Sequence, residues 1–181
     1  VLFRSPRWKT SEGSCVPFTQ FNRTLEAAVG YFELGMADEA LKELDSLPAD
    51  DQHEEEVLEL RSVLNQHLGR WEAASHCCEA LCRLHGADPD RFIAWASCLY
   101  ELGEVAACKA AMLQAPPVAR SHALWNFHLA CYEAMLGQTV PAAEHAHACL
   151  ALDPRMRCMV EQNTHLRPLL DSGSPRRATG S

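Results

Sequence analysis

Between residues 21 and 154, apolar side chains return every three or four positions in short runs, each closed by Gly, Pro or a polar cluster. That spacing predicts helices joined by tight turns. The runs come in pairs: Leu25 to Leu34 with Ala37 to Leu47, Val57 to Leu68 with Trp71 to Leu84, Arg91 to Leu102 with Val105 to Leu113, and Ala119 to Leu136 with Ala142 to Leu152. A glycine stands inside every pair, and Gly35, Gly69, Gly103 and Gly137 follow one another at intervals of 34 residues. Glycine ends a helix readily because it adopts positive φ without a Cβ penalty. Pro48, Pro89, Pro116 with Pro117, and Pro154 separate one pair from the next, where a helix must stop or start. The pattern predicts an all-α chain made of tandem helical hairpins, which become stable by stacking on one another.

With repeats begun at Phe21, Glu55, Pro89 and Ala123, further positions agree. The eighth holds Ala28, Ser62, Ala96 and Ala130; the twentieth holds Ala40, Ala74, Cys108 and Ala142. Small residues at fixed points on two successive helices let their backbones approach closely. Beyond the repeats, residues 155–170 predict a capping helix over Met156 to Leu166, stopped by Pro168, and residues 171–181 read as a flexible tail. Residues 1–20 are irregular, and Val1-Leu2-Phe3-Arg4-Ser5 reads as a sequencing remnant.

A unit of this length with a small eighth residue, a turn glycine, an aromatic soon after it, a small twentieth residue and a final proline resembles the tetratricopeptide repeat family. Gly69-Arg70-Trp71-Glu72-Ala73-Ala74 and Ala148-Cys149-Leu150-Ala151-Leu152-Asp153-Pro154 carry the likeness, which covers residues 21–154 as four repeats. It implies a right-handed α-solenoid of antiparallel helix pairs and a non-catalytic protein-interaction scaffold. Departures are Asn65 and Glu133 at the usual aromatic eleventh position, and Ala37, Val105 and Thr139 in place of the aromatic after the glycine.

In the first helix of each repeat, positions four, seven, eight and eleven pack within the hairpin. Positions two, five, nine and twelve form a second stripe, at about 100° per residue. In this family that stripe lines a concave groove for peptides or helices. Here it holds Leu25, Val29, Phe32, Glu59, Val63, Ile93, Tyr100, Phe127 and Cys131, with Glu33, Glu26, Glu56, Asp90 and Glu101 along its edge. The competing reading makes the same side chains contacts between neighbouring repeats. The family's Lys, Asn and Arg clamp for a terminal carboxylate is replaced by Leu25, Val29, Leu60, Asp90 and Ala94. A carboxylate there would lose solvation without a counter-charge. The expected partner is instead a protein or peptide segment with apolar anchors and basic flanks.

Charge supports that expectation. Residues 21–154 carry 21 acidic and 8 basic side chains, a net of -13 within a chain of -8. Phosphate backbones would be repelled, so no nucleic acid is expected. Nine cysteines, an odd number lying mostly within helical runs, point to a reducing cytoplasm, and no run reaches membrane-helix length. No cofactor, resident metal or catalysis is expected, since no nucleophile elbow or fixed base is present. Two alternatives stay open. Arg7, Trp8 and Lys9 have the composition inferred for a ligand, so the N-terminal segment could fill its own or a neighbour's groove and make a homo-oligomer. Cys78, Cys82 and His85, with His76 and Cys77 beside them, share a helix face and could serve a metal or redox role.

Overall fold

The computed structural model describes residues 20–172 except His85 and Ala87, and among these residues all regular structure is helical. Ten α-helices follow in order: α1 Gln20–Glu33, α2 Ala37–Asp45, α3 Glu55–His67, α4 Trp71–Leu84, α5 Pro89–Glu101, α6 Val105–Met112, α7 Ala123–Met135, α8 Thr139–Leu152, α9 Arg157–Gln162 and α10 Arg167–Ser172. Helices pack in consecutive pairs, α1 on α2, α3 on α4, α5 on α6 and α7 on α8. The chain divides into two units, one ending at Leu84 and the other beginning at His85.

The turn within each pair is built identically. Gly35, Gly69, Gly103 and Gly137 have φ of 76°, 68°, 78° and 73°. At the first turn the Gly35 amide donates to the Phe32 carbonyl and the Met36 amide reaches back to Tyr31; the same two bonds recur at the other three turns. These bonds satisfy helix-end carbonyls that would otherwise lack partners. The second bond always ends on the eleventh residue, which is Tyr31, Asn65, Leu99 or Glu133. A backbone carbonyl serves there, so the turn tolerates the side-chain departures at that position.

In the first unit, α1, α2 and α3 enclose Ala28, Ala40, Leu44, Leu60 and Leu64, all at 1% exposure or less. Each such leucine contributes about 1.5–3 kcal/mol on burial. Ser62 is also buried, and its hydroxyl is satisfied by the Gln66 Nε2 donor at 2.9 Å and by Cys78 Sγ at 3.1 Å. Gln52 Nε2 donates to the Leu44 and Leu47 carbonyls at 3.0 and 2.8 Å, capping α2. In the second unit, α7, α8 and the residues beyond them enclose Phe127, Ala130, Cys131, Ala146, Cys149, Val160 and Leu166.

Three of the boundaries that differ from the sequence reading have a local cause. The seventh helix begins at Ala123, because Asn126 Nδ2 donates to the Arg120 and His122 carbonyls and holds residues Pro117–Ser121 in a separate 3-10 turn. The eighth begins three residues early, at Thr139, since Pro141 falls in the first turn, where no amide donor is needed. Residues 155–170 do not form one helix ended by Pro168. Asn163 interrupts them, with its Oδ1 accepting from the His165 and Leu166 amides, and Pro168 lies in the opening turn of α10.

Candidate functional site

Two faces carry the residues singled out by sequence, one in each unit. On α1, Leu25, Val29 and Phe32 are half-buried and pack with their inner sides against the core of the first unit. The Phe32 ring meets the His67 imidazole of α3 edge-on, with centroids 5.5 Å apart. On α3, Glu59 and Val63 are half-buried, while Glu33, Glu26 and Glu56 are exposed. This places half-covered apolar side chains and carboxylates on neighbouring first helices.

Residues 20–84 carry 14 acidic and 5 basic side chains, a net of -9. Four of the five cations pair with carboxylates of the same unit: Lys42 with Glu39, Arg61 with Asp45, Arg70 with Asp38, and Arg83 with Glu79. The acidic excess therefore remains after internal pairing. A cationic segment is attracted at ranges up to a Debye length of about 8 Å at physiological salt.

In the second unit Ile93, Phe127 and Cys131 are buried at 8%, 8% and 9% exposure, whereas Tyr100 is 46% exposed. Phe127 and Cys131 belong to the core of that unit, and Asn163 Nδ2 donates to Cys131 Sγ at 3.3 Å. Around Tyr100 lie three residues that the stripe did not bring forward. Tyr132 is 6.2 Å away ring to ring, His128 is 6.2 Å from Tyr132, and the Tyr132 phenol bonds Ser97. Ser97 occupies the ninth position of its repeat, on the predicted stripe, but as a small polar residue it gave no apolar signal. His128 and Tyr132 sit one step round the helix.

Burial pushes the Cys77 and Cys108 thiols up to about 11 and the Cys131 thiol up to about 12. Such groups stay protonated at neutral pH and behave as small hydrophobes rather than nucleophiles. Cys78 and Cys82 are buried, His76 is exposed, and His85 lies outside the described residues. Among the described residues no group of three His, Cys, Asp or Glu side chains is placed to hold a metal ion.

A buried polar cluster occupies the departure at the eleventh position of the fourth repeat. The Glu133 carboxylate, 4% exposed, lies 3.1 Å from Lys109 Nζ and 3.9 Å from His145 Nε2. Lys109 also donates to Gln138, and His145 Nδ1 pairs with Asn126 Oδ1 at 3.0 Å. Because the Asn126 amide nitrogen is committed to two carbonyls, its oxygen accepts and His145 Nδ1 carries the proton. The cluster ties α6, α7 and α8 together, which is a packing role.

Residues 1–19, including the Arg7, Trp8 and Lys9 segment, and residues 173–181 lie outside the described residues. Among the described residues no helix is long and apolar enough to cross a membrane.

No protein-family model matches the sequence, and no curated protein matches it. Solved structures do. MamA from Desulfovibrio magneticus RS-1 is similar at 13% identity, over 84% of this chain and 92% of that one, with a TM-score of 0.63. YrrB, a TPR protein with an unusual peptide-binding site, is similar at 14% identity over 84% and 90%, with a TM-score of 0.60. A thermophilic TPR protein in Thermus thermophilus is similar at 18% identity over 84% and 83%, with a TM-score of 0.54. Identities this low speak for the fold alone, and the fold of this chain is that of the tetratricopeptide-repeat proteins, all-α and built of antiparallel helix pairs.

Proposed function

We propose that the protein is a non-catalytic scaffold for protein interactions whose first unit takes a polypeptide segment with apolar anchors and basic flanks. The observation that carries this reading is the pairing of half-buried Leu25, Val29 and Phe32 on α1, and Val63 on α3, with a net charge of -9 over residues 20–84. The apolar side chains have area still to bury, at roughly 25 cal/mol per Å². The surrounding carboxylates, including Glu33 and Glu59, select positive charge and speed its approach. YrrB lends support as a peptide-binding protein of the same fold. Tyr100 of the second unit is the exposed member of the remaining stripe, whereas Ile93, Phe127 and Cys131 are buried.

Two synthetic amphipathic peptides test this, each with leucines at i, i+3, i+4 and i+7, one flanked by lysines and the other by glutamates. The lysine-flanked peptide is expected to bind, more weakly as salt rises, and the glutamate-flanked one not to bind. Val29→Glu with Val63→Glu should weaken binding tenfold or more while circular dichroism stays helical. Equal binding of both peptides, or full affinity in the folded double variant, would refute the proposal.

A further inference from the structure

Tyr100 sits at the end of α5 with nearly half its surface in solvent, next in sequence to the exposed carboxylate of Glu101. Its ring is the exposed end of a series that passes from α5 to α7, with Tyr100 to Tyr132 at 6.2 Å and 38° between planes, and Tyr132 to His128 at 6.2 Å and 33°. The Tyr132 ring is held in place. Tyr132 is 4% exposed, and its phenol meets Ser97, whose own proton goes to the Ile93 carbonyl at 2.8 Å.

The series is also uncharged. Burial pushes the His128 imidazole down to about 4, so at neutral pH it adds no positive charge behind the tyrosines. The whole of α7 contains neither Lys nor Arg, and on α5 the exposed positions along this side are Ala94, Tyr100 and Glu101. Electron-rich ring faces at a helix end that carries an exposed carboxylate, with no resident cation on that turn, are complementary to a positive group. Among positive side chains the planar guanidinium suits an aromatic face best, because it stacks and is weakly hydrated.

We propose that the Tyr100 ring, backed by Tyr132 and His128, is a seat for an arginine side chain of a bound polypeptide, whose guanidinium lies on the ring beside Glu101. This rests on reading the molecule as a polypeptide scaffold, but it uses the second unit and a chemistry apart from the leucine-taking face of the first.

The probe is the short peptide acetyl-Leu-Ala-Arg-Ala-Leu-amide, compared with the same peptide carrying citrulline, which keeps the shape and removes the charge. Titrations are followed by the ring-proton resonances of Tyr100 in the full chain, assigned by their loss in Tyr100→Leu. The arginine peptide should shift those resonances and bind roughly two- to fivefold more tightly than the citrulline peptide. Tyr100→Phe should retain the preference, and Tyr100→Leu should abolish it with unchanged circular dichroism. Arginine and citrulline peptides that titrate alike, or a preference that survives Tyr100→Leu, would overturn the assignment. The Val29→Glu, Val63→Glu variant separates the two readings: the seat predicts that the arginine preference persists in it. Loss of the preference alone, with lysine-flanked peptide still held by the first unit, removes the seat and leaves the scaffold.

Discussion

Replacing His128 by phenylalanine should make the protein less sensitive to mild acid. The imidazole is partly buried between the Phe127 and Tyr132 rings, and burial lowers it from the ordinary 6.5 to about 4. The unfolded chain therefore takes up this proton near pH 6.5, whereas the folded one resists until about pH 4. With the folded value depressed, the associated stability is fully present above pH 6.5 and is lost as pH falls through that window. Going from pH 7 to pH 5, the linkage amounts to about 2 kcal/mol, with a limit of about 3 kcal/mol once both states are protonated. Asp153, which the Arg155 guanidinium holds below the ordinary carboxylate value, titrates lower and does not obscure the comparison. The assay is urea denaturation followed by circular dichroism at pH 7 and pH 5 for both proteins. His128→Phe keeps a ring against Tyr132, and the quantity read is the change with pH rather than absolute stability. Wild type should lose about 2 kcal/mol more than His128→Phe over this interval. Equal losses in the two proteins would refute the reasoning.

Other expectations follow from the buried groups and the turns. Lys109→Met strips a close cation from a carboxylate that is 4% exposed and should cost about 3 kcal/mol in urea denaturation. Lys109→Met combined with Glu133→Leu should recover much of that loss, and an additive double-mutant cycle would show that the pair is not coupled. Gly69→Ala should cost about 1–2 kcal/mol, because φ there is 68° and the nearest atom to a new Cβ, Trp71 Nε1, is 4.0 Å away, so the penalty is torsional rather than steric. Gly30→Ala, inside α1 with nothing within 4 Å of a new Cβ, should instead stabilise by about 0.5–1 kcal/mol, measured as a raised urea midpoint.

The backbone plan was legible in the sequence wherever one residue type has one physical use. Each of the four turn glycines lies at positive φ, and the eight small residues at positions eight and twenty are all buried. Cys78 is buried, and its sulfur meets Ser62 across the hairpin. What escaped depends on side-chain hydrogen bonds between distant positions. The displaced start of α7 follows from Asn126 reaching back to Arg120 and His122, and the break after α9 follows from Asn163; neither asparagine has a periodic signature. Trp125 is buried too, with Nε1 donating to the Met112 carbonyl at 3.2 Å. The candidate faces were legible as a stripe, but the degree of cover was not. Phe127 and Cys131 are sunk by α9 and the Asn163 turn, elements outside the repeat period, while Tyr100 stays open.

Val160 and Leu166 are fully buried against side chains of α7 and α8, on the side where each earlier hairpin of a unit receives its successor. That landing surface is therefore occupied by two short helices of different design, neither with the small-residue register that a hairpin would need in order to dock. Lengthening of such an array by gene duplication would have to copy a unit upstream of Arg157. A hairpin meant to stack directly on α7 and α8 would have to displace the short helices that now lie there.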